Sequence, residues 1–227
     1  MNRIHPLKSF AIILCASLAI GCSSTNPSNA PQVSEDGLNL KLSTRSTIAY
    51  KKSGVDFSTY NQVQIMPSTV AFKQNWMRNY NRSTASISTR VKDSDVIRIK
   101  QSMATMLDEI FIEEFNKGTG YSVVSEPSAN TLLIKPSIID LDVNAPDLST
   151  ASRTRTYTQD SGEATLFLEI YDSVSGEILA RVIDAQGGRD NGFYQWSTRV
   201  SNRADARRII RGWAQKLRTK FDEAHTK

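Results

Sequence analysis

Few side chains in this 227-residue sequence carry the reactive atoms on which catalysis and metal binding usually depend. Cys15, Cys22 and His5 all fall near the amino terminus, and beyond them the chain holds only His225, close to its end. A lone imidazole without a thiol cannot build a Cys/His nucleophilic pair, a zinc cluster or an internal disulfide. His225 is expected to be a solvated tail residue. No G-x-x-x-x-G-K-[ST] or G-x-G-x-x-G run occurs, so no nucleotide cofactor is expected, nor any other. Carboxylates remain. Asp140 and Asp142 alternate with Ile139, Leu141 and Val143, which on a strand would put both acids on one face about 7 Å apart. Such a pair, or Asp140 with Glu169, could act as acid and base on a glycosidic bond. That makes a periplasmic glycan hydrolase the alternative reading. The same alternation describes the wet face of a half-buried strand, and the leading expectation is a chain that is not an enzyme.

The one residue with a defined chemical fate is Cys22. Arg3 and Lys8 precede an uncharged, largely apolar run from Ser9 to Ile20, the pattern of a secretion signal. That run is shorter than the roughly 20 residues a membrane-spanning helix needs. It ends in Leu18-Ala19-Ile20-Gly21-Cys22-Ser23, which resembles the lipobox of bacterial lipoproteins. The resemblance implies cleavage before Cys22 and acylation of its thiol, palmitate included. Three acyl chains exceed the two signals that stable anchoring requires. Ser23, where an aspartate would retain such a protein at the inner membrane, implies the outer membrane, with the protein facing the periplasm. The expected organisation is a signal peptide over 1–21, a flexible Ser/Asn/Pro-bearing tether over 22–37 and one domain over 38–227.

The formal charge of +5 includes Arg3 and Lys8, which leave with the signal. The mildly basic remainder is no nucleic-acid signature, so the expected partners are the membrane, an envelope protein, peptidoglycan or lipopolysaccharide. Two surfaces are candidates for such contacts. Trp76 and Tyr80 lie among Lys, Arg and Asn in the run 72–82, a mixture able to stack on sugar rings or to pin a loop to the core. Arg207, Arg208 and Arg211 belong to the densest positive face of the chain, along with Arg203, Lys216, Arg218 and Lys220.

The elements that must carry these residues follow from periodicity. Val63–Met66, Tyr121–Val124 and Thr131–Val143 read as strands, with Pro136 marking an edge or bend in the last. Val96, Ile99, Met103, Met106, Leu107, Ile110 and Phe111 recur by threes and fours, so a helix capped by Asp93 or Ser94 and ended by Gly118 is expected. The stretch 67–92 reads as a long excursion before that helix. Ala164–Tyr171 and Glu177–Ile183 flank Asp172-Ser173-Val174-Ser175-Gly176, a β-hairpin in which Asp172 bonds the turn and Gly176 takes positive φ. Residues 145–161 read as a polar loop. A last helix from Asn202 buries Ala206, Ile210, Trp213, Leu217 and Phe221.

The hairpin run Leu168–Ala180, with Asp172-Ser173 and Gly176-Glu177, and the segment Tyr50–Tyr60, with Gly54-Val55-Asp56, are similar to the domain-of-unknown-function 3313 family of bacterial lipoproteins. The resemblance runs from about Leu38 to Phe221 and carries over no catalytic or ligand residue. The fold expected from the element order is α+β: a mixed, mostly antiparallel sheet of about five strands with two amphipathic helices packed on one face. The expected function is that of a lipid-anchored envelope lipoprotein serving as a non-catalytic binding or assembly module.

Overall fold

A computed structural model describes residues 30–85, 87–117, 121–144, 146, 148, 156–158, 162–187, 195–197 and 199–226. Cys22, the expected Gly118 cap and most of the polar stretch 145–161 lie outside them. In chain order the elements are β1 (Asn39–Ser43), β2 (Thr47–Lys51), β3 (Gln62–Ile65), β4 (Thr69–Phe72), α1 (Trp76–Ser83), α2 (Asp93–Phe115), β5 (Ser122–Val123), β6 (Thr131–Asp142), β7 (Thr156–Thr158), β8 (Glu163–Asp172), β9 (Ile178–Gly187), β10 (Gln195–Ser197) and α3 (Arg199–His225). The α+β class stands, with finer corrections. The main sheet has eight strands rather than about five, in the order β1-β2-β9-β8-β6-β3-β5 with β4 also on β6, and β7 and β10 form a separate pair. There are three helices among the described residues rather than two. Periodicity missed β7, within the expected polar loop, and β10, three residues each, as well as β1, β2, β4 and α1, which are short and mostly half-exposed, so no long apolar repeat announces them.

β6 is the central strand, antiparallel to β8 on one side and parallel to β3 and β4 on the other. Its Leu132, Ile134 and Ile138 are buried, as are Leu166, Leu168 and Ile170 of β8, beside which they lie. Against them pack Met106, Leu107, Ile110, Phe111 and Phe115 of α2, and Ile210, Trp213, Ala214 and Phe221 of α3. Both helices bury the stripes that their spacing predicts. Pro136 is not at an edge. The Ile134 carbonyl accepts the Met66 N–H at 2.9 Å, so two residues on, the ring nitrogen of Pro136 points to the same side. There β3 pairing ends at Ile134 and β4 pairing begins at Ser137. The missing N–H falls in the interval between two partners, which is how a central strand accommodates proline.

Past Pro136 the alternation breaks. Ile139 pairs with Thr165 and Asp142 with Glu163, so three steps along β6 match two along β8. This is a β-bulge, and Asp140 within it has φ 51. The extra residue reverses the phase: Ile138 and Leu141 both reach the core, while Ile139 is only half-buried. The expectation that Ile139 and Leu141 share a face is therefore corrected. Across from the bulge Gly162 has φ 108, and a Cβ built there would overlap the Asp142 carbonyl oxygen.

Helix ends depart from expectation too. At the start of α2, Asp95 rather than Asp93 or Ser94 reaches back, accepting the Lys92 N–H at 3.1 Å. At its end Arg218 of α3 donates to the carbonyls of Glu114, Phe115 and Lys117 at 3.2, 3.0 and 2.6 Å. The hairpin is as predicted: Asp172 accepts from the Val174 and Ser175 N–H groups at 3.1 and 2.7 Å, and Gly176 has φ 69. Those bonds hold the Asp172 carboxyl below the usual carboxylate range. Part of the expected tether is tied down as well. Asp36 pairs with Arg181, and the Pro31 carbonyl accepts the Tyr50 hydroxyl at 3.1 Å.

Two outcomes follow. Gly162→Ala should destabilise the fold by at least about 2 kcal/mol in chemical denaturation, whereas Gly187→Ala, at an open position, should stay within about 0.5 kcal/mol. Burial pushes the hydroxyls of Tyr121 and Tyr171 up to about 12, helped at Tyr121 by Asp222 and at Tyr171 by Glu169. The folded state therefore holds both protons more tightly than the unfolded chain, whose tyrosines titrate near 10. This stabilisation is complete below about pH 10 and disappears as pH rises through about 12. Denaturation curves should show that loss, reduced in Tyr121→Phe and Tyr171→Phe.

Candidate functional site

The bulge forms the floor of a pocket. Leu141, Asp142 and Val143 from the end of β6 and Gly162 to Ala164 from the start of β8 lie on one side of it. The amino-terminal halves of α2 and α3 form the others, through Ile99, Met103 and Met106 and through Ala206, Ile210 and Trp213. The cavity measures about 220 Å³. Its interior is apolar because both helices turn their core stripes toward the sheet where the sheet is ending. Met103 and Met106, expected as core filler, are part of that lining.

Charges gather at the rim, and several of them are matched. Arg98 pairs with Asp95 at 3.0 Å, Asp205 with Arg208 at 3.6 Å, and Asp142 with Lys73 at 3.3 Å. One buried polar atom of a lining residue is not matched. Trp213 is 3% exposed, and its indole Nε1 has no hydrogen-bond partner among the described residues. A buried donor left without an acceptor costs about 1–3 kcal/mol, so its presence marks a place where an acceptor is missing.

The carboxylates singled out by spacing do not converge. Asp140 sits in the bulge and lines a second pocket with Lys73, Gln74 and Glu163. Asp142, engaged with Lys73, borders the inter-helix pocket instead. Glu169 is buried in a different region of the sheet, bonded to Arg181 at 2.8 Å and to the Tyr171 hydroxyl at 2.8 Å. Periodicity could not have foreseen the separation, because it assumes an unbroken strand and the bulge is what divides the pair.

Trp76 lies in α1 rather than in a loop, 5% exposed, with its ring stacked 4.1 Å from Phe72 and 5.8 Å from Tyr80. Its Nε1 donates to the Val143 carbonyl at 3.2 Å, so this aromatic group fastens α1 to the end of β6. Tyr80 is half-buried, and burial raises its hydroxyl above the usual tyrosine value. The basic face of α3 is split. Arg211 reaches Glu114 and Glu113 of α2 at 3.6 and 3.7 Å, Lys216 reaches the buried Asp184 at 3.1 Å, and Arg218 caps α2. Arg207 is half-buried and Arg208 exposed. His225 is exposed, as expected of a tail residue, but it is tied down. Its Nδ1 lies 2.8 Å from the Tyr121 hydroxyl and 2.8 Å from the Phe221 carbonyl, and its Nε2 lies 3.0 Å from the Tyr60 carbonyl. Its position in sequence gave no hint of this, since Tyr121 and Tyr60 are more than 100 residues away.

Among the described residues no group of His, Cys, Asp and Glu could hold a metal, and no helix is long and apolar enough to cross a membrane. A family model described as a protein of unknown function, DUF3313, matches residues 34–217. No curated protein matches the chain. Among solved structures it is similar to the PelC dodecamer from Paraburkholderia phytofirmans, at 9% identity and a TM-score of 0.35, covering 73% of this chain and 94% of that one. A point variant of the same dodecamer matches at 8% identity and a TM-score of 0.34, covering 73% and 92%.

The split of the basic face is measurable. Arg218→Ala should cost about 2 kcal/mol of stability, because three carbonyls at the end of α2 lose a charged donor. Arg208→Ala should change stability by less than about 0.5 kcal/mol, as expected of an exposed pair. Urea denaturation of the two variants compares them directly.

Proposed function

The chain belongs to the DUF3313 family, and from that premise we propose that it is a lipid-anchored lipoprotein of the outer membrane, facing the periplasm and acting as a non-catalytic binding module. The observation that carries the binding half is the apolar pocket between α2 and α3, roomy enough for a ligand and lined mainly by core side chains. Several rim charges are engaged in ion pairs, Asp142 with Lys73 among them, which suits holding a molecule rather than transferring its protons. The anchoring half rests on Leu18–Cys22 and on Ser23 after it. A second contact, with an envelope protein or an anionic polymer such as lipopolysaccharide or peptidoglycan, fits Arg207 and Arg208 on the outer side of α3 and is to be screened by salt.

Cys22→Ala should abolish palmitate labelling and remove the chain from the outer-membrane fraction. Labelling that persists in the variant, or labelled protein recovered with the inner membrane, overturns the anchoring reading. Purified protein incubated with sacculi should release no soluble fragments. Release that Asp140→Asn or Asp142→Asn suppresses while the fold survives would replace the binding module with a hydrolase.

A further inference from the structure

We propose that the face of the main sheet turned away from α2 and α3 lies on the lipid bilayer, meeting it at the boundary between headgroups and acyl chains. The inference rests on the reading of Cys22 as the anchored residue and adds which surface that anchor brings down.

The two faces follow from register, because residues paired across neighbouring strands share a face. The row Ala180, Ile170 and Ile134 belongs to the core under the helices. One residue along each strand, on the opposite face, Arg181, Glu169 and Lys135 form a row with Tyr50 of β2. The next row on that face is Ile48, Ile183, Phe167 and Ser137, all half-buried. Leu133 and Ile139 of β6, also half-buried, extend it to either side. An antiparallel sheet face left to water carries mostly polar side chains. Here Ile48, Ile183, Phe167, Leu133 and Ile139 lie together, and none of them belongs to the core cluster that the helices cover.

Where the chain joins the fold indicates what covers this face. Tyr50 donates its hydroxyl to the Pro31 carbonyl, and Arg181 pairs with Asp36. Both side chains stand on the apolar face, so the chain running from Cys22 reaches the fold over that face. Nine peptide steps separate Cys22 from Pro31, a reach of at most about 32 Å. To lower the helix side instead, that stretch would pass β1, about 5 Å away, then cross a layer spacing of about 10 Å and a helix of about 10–12 Å. That path consumes most of the reach, whereas the sheet face needs little of it.

Charge is sorted in the same sense. Glu169 and Asp36 are taken up by Arg181, and Asp140 and Glu163 stand at the bulged end. Lys135 on the face, with Lys41 and Arg45 at its β1 edge, is exposed and without an ion pair among the described residues, and these cations can meet lipid phosphates. Lying this way, the molecule turns the outer side of α3, with Arg207 and Arg208, toward the periplasm.

The test uses the acylated chain, its palmitate verified, in vesicles of phosphatidylethanolamine and phosphatidylglycerol that carry a lipid with a nitroxide headgroup. Cys15 leaves with the signal and Cys22 is acylated, so an introduced cysteine is the one free thiol for a bimane label. Ile183→Cys and Leu133→Cys put the label on the sheet face, and Arg208→Cys puts it on the outer side of α3. The nitroxide should quench the two sheet-face labels at least about threefold more strongly than the label at 208. With Leu133→Cys as reporter, Ile48→Glu together with Phe167→Glu should lower its quenching to the level at 208, while palmitate and the vesicle-bound fraction stay unchanged. Thermal melting verifies that each variant is folded. Equal quenching at the three positions, or stronger quenching at 208, overturns the proposal, as does quenching at Leu133→Cys that the two charges leave unchanged. Sheet-face labels that escape the nitroxide and quench one another as protein density rises overturn it in favour of a second copy of this chain. A wild-type chain without palmitate would overturn the anchoring reading and this proposal with it, whereas the quenching ratios on palmitate-bearing chain judge this proposal alone.

Discussion

The extra residue at Asp140 is the constraint on which the lower half of the molecule depends. A strand shows one face every second residue, so a central strand can keep one side apolar only if its sequence alternates without a break. β6 does not: Leu132, Ile134 and Ile138 are in one phase and Leu141 is in the other. The bulge absorbs the difference and lets both phases face the helices. It requires a left-handed residue at Asp140 and space for the Asp142 carbonyl, which only the bare backbone of Gly162 leaves. The same local change draws the floor of the pocket and sends Asp140 and Asp142 to different surroundings.

Above that floor the two long helices are held by polar contacts as well as by their apolar stripes. Arg218 supplies what the end of α2 lacks and lies 4.8 Å from the ring of Tyr121. Glu114, 5% exposed on α2, takes Lys117 at 2.6 Å and Arg211 at 3.6 Å. Asp184, 3% exposed on β9, takes the Thr47 hydroxyl, the Gln186 amide and Lys216. A buried carboxylate is tolerated only when paired and hydrogen-bonded in this way, and removing a partner costs far more than the pair contributes. Much of the positive charge on α3 is therefore structural, and His225 closes the far end by touching Tyr121 and the backbone of Tyr60.

Long elements were legible, and of the short ones only β3 and β5 were. α2, α3, β6 and the β8–β9 hairpin each repeat an apolar period often enough to stand out, and each lies where periodicity predicts it to within a few residues. β1, β2 and β4 take their structure from neighbours that complete their hydrogen bonds, which no local pattern records. For the site the division is sharper. Met103, Met106, Ile210 and Trp213 were all recognisable as core residues, yet the void among them was not, because a cavity is a property of facing surfaces rather than of any one stripe.

The sequence by itself determined the α+β class, the two amphipathic helices, the hairpin chemistry of Asp172 and Gly176, and the scarcity of reactive side chains past Cys22. These follow from residue type and spacing along one chain, which are local quantities. Folding in three dimensions settled that Pro136 lies in the middle of the sheet, that Asp140 and Asp142 part company, that Arg218 and His225 are structural, and that Trp213 keeps a buried donor without an acceptor among the described residues. Each of these depends on which distant segment lies opposite, and that is settled by the burial of one common core rather than by any residue's own preference.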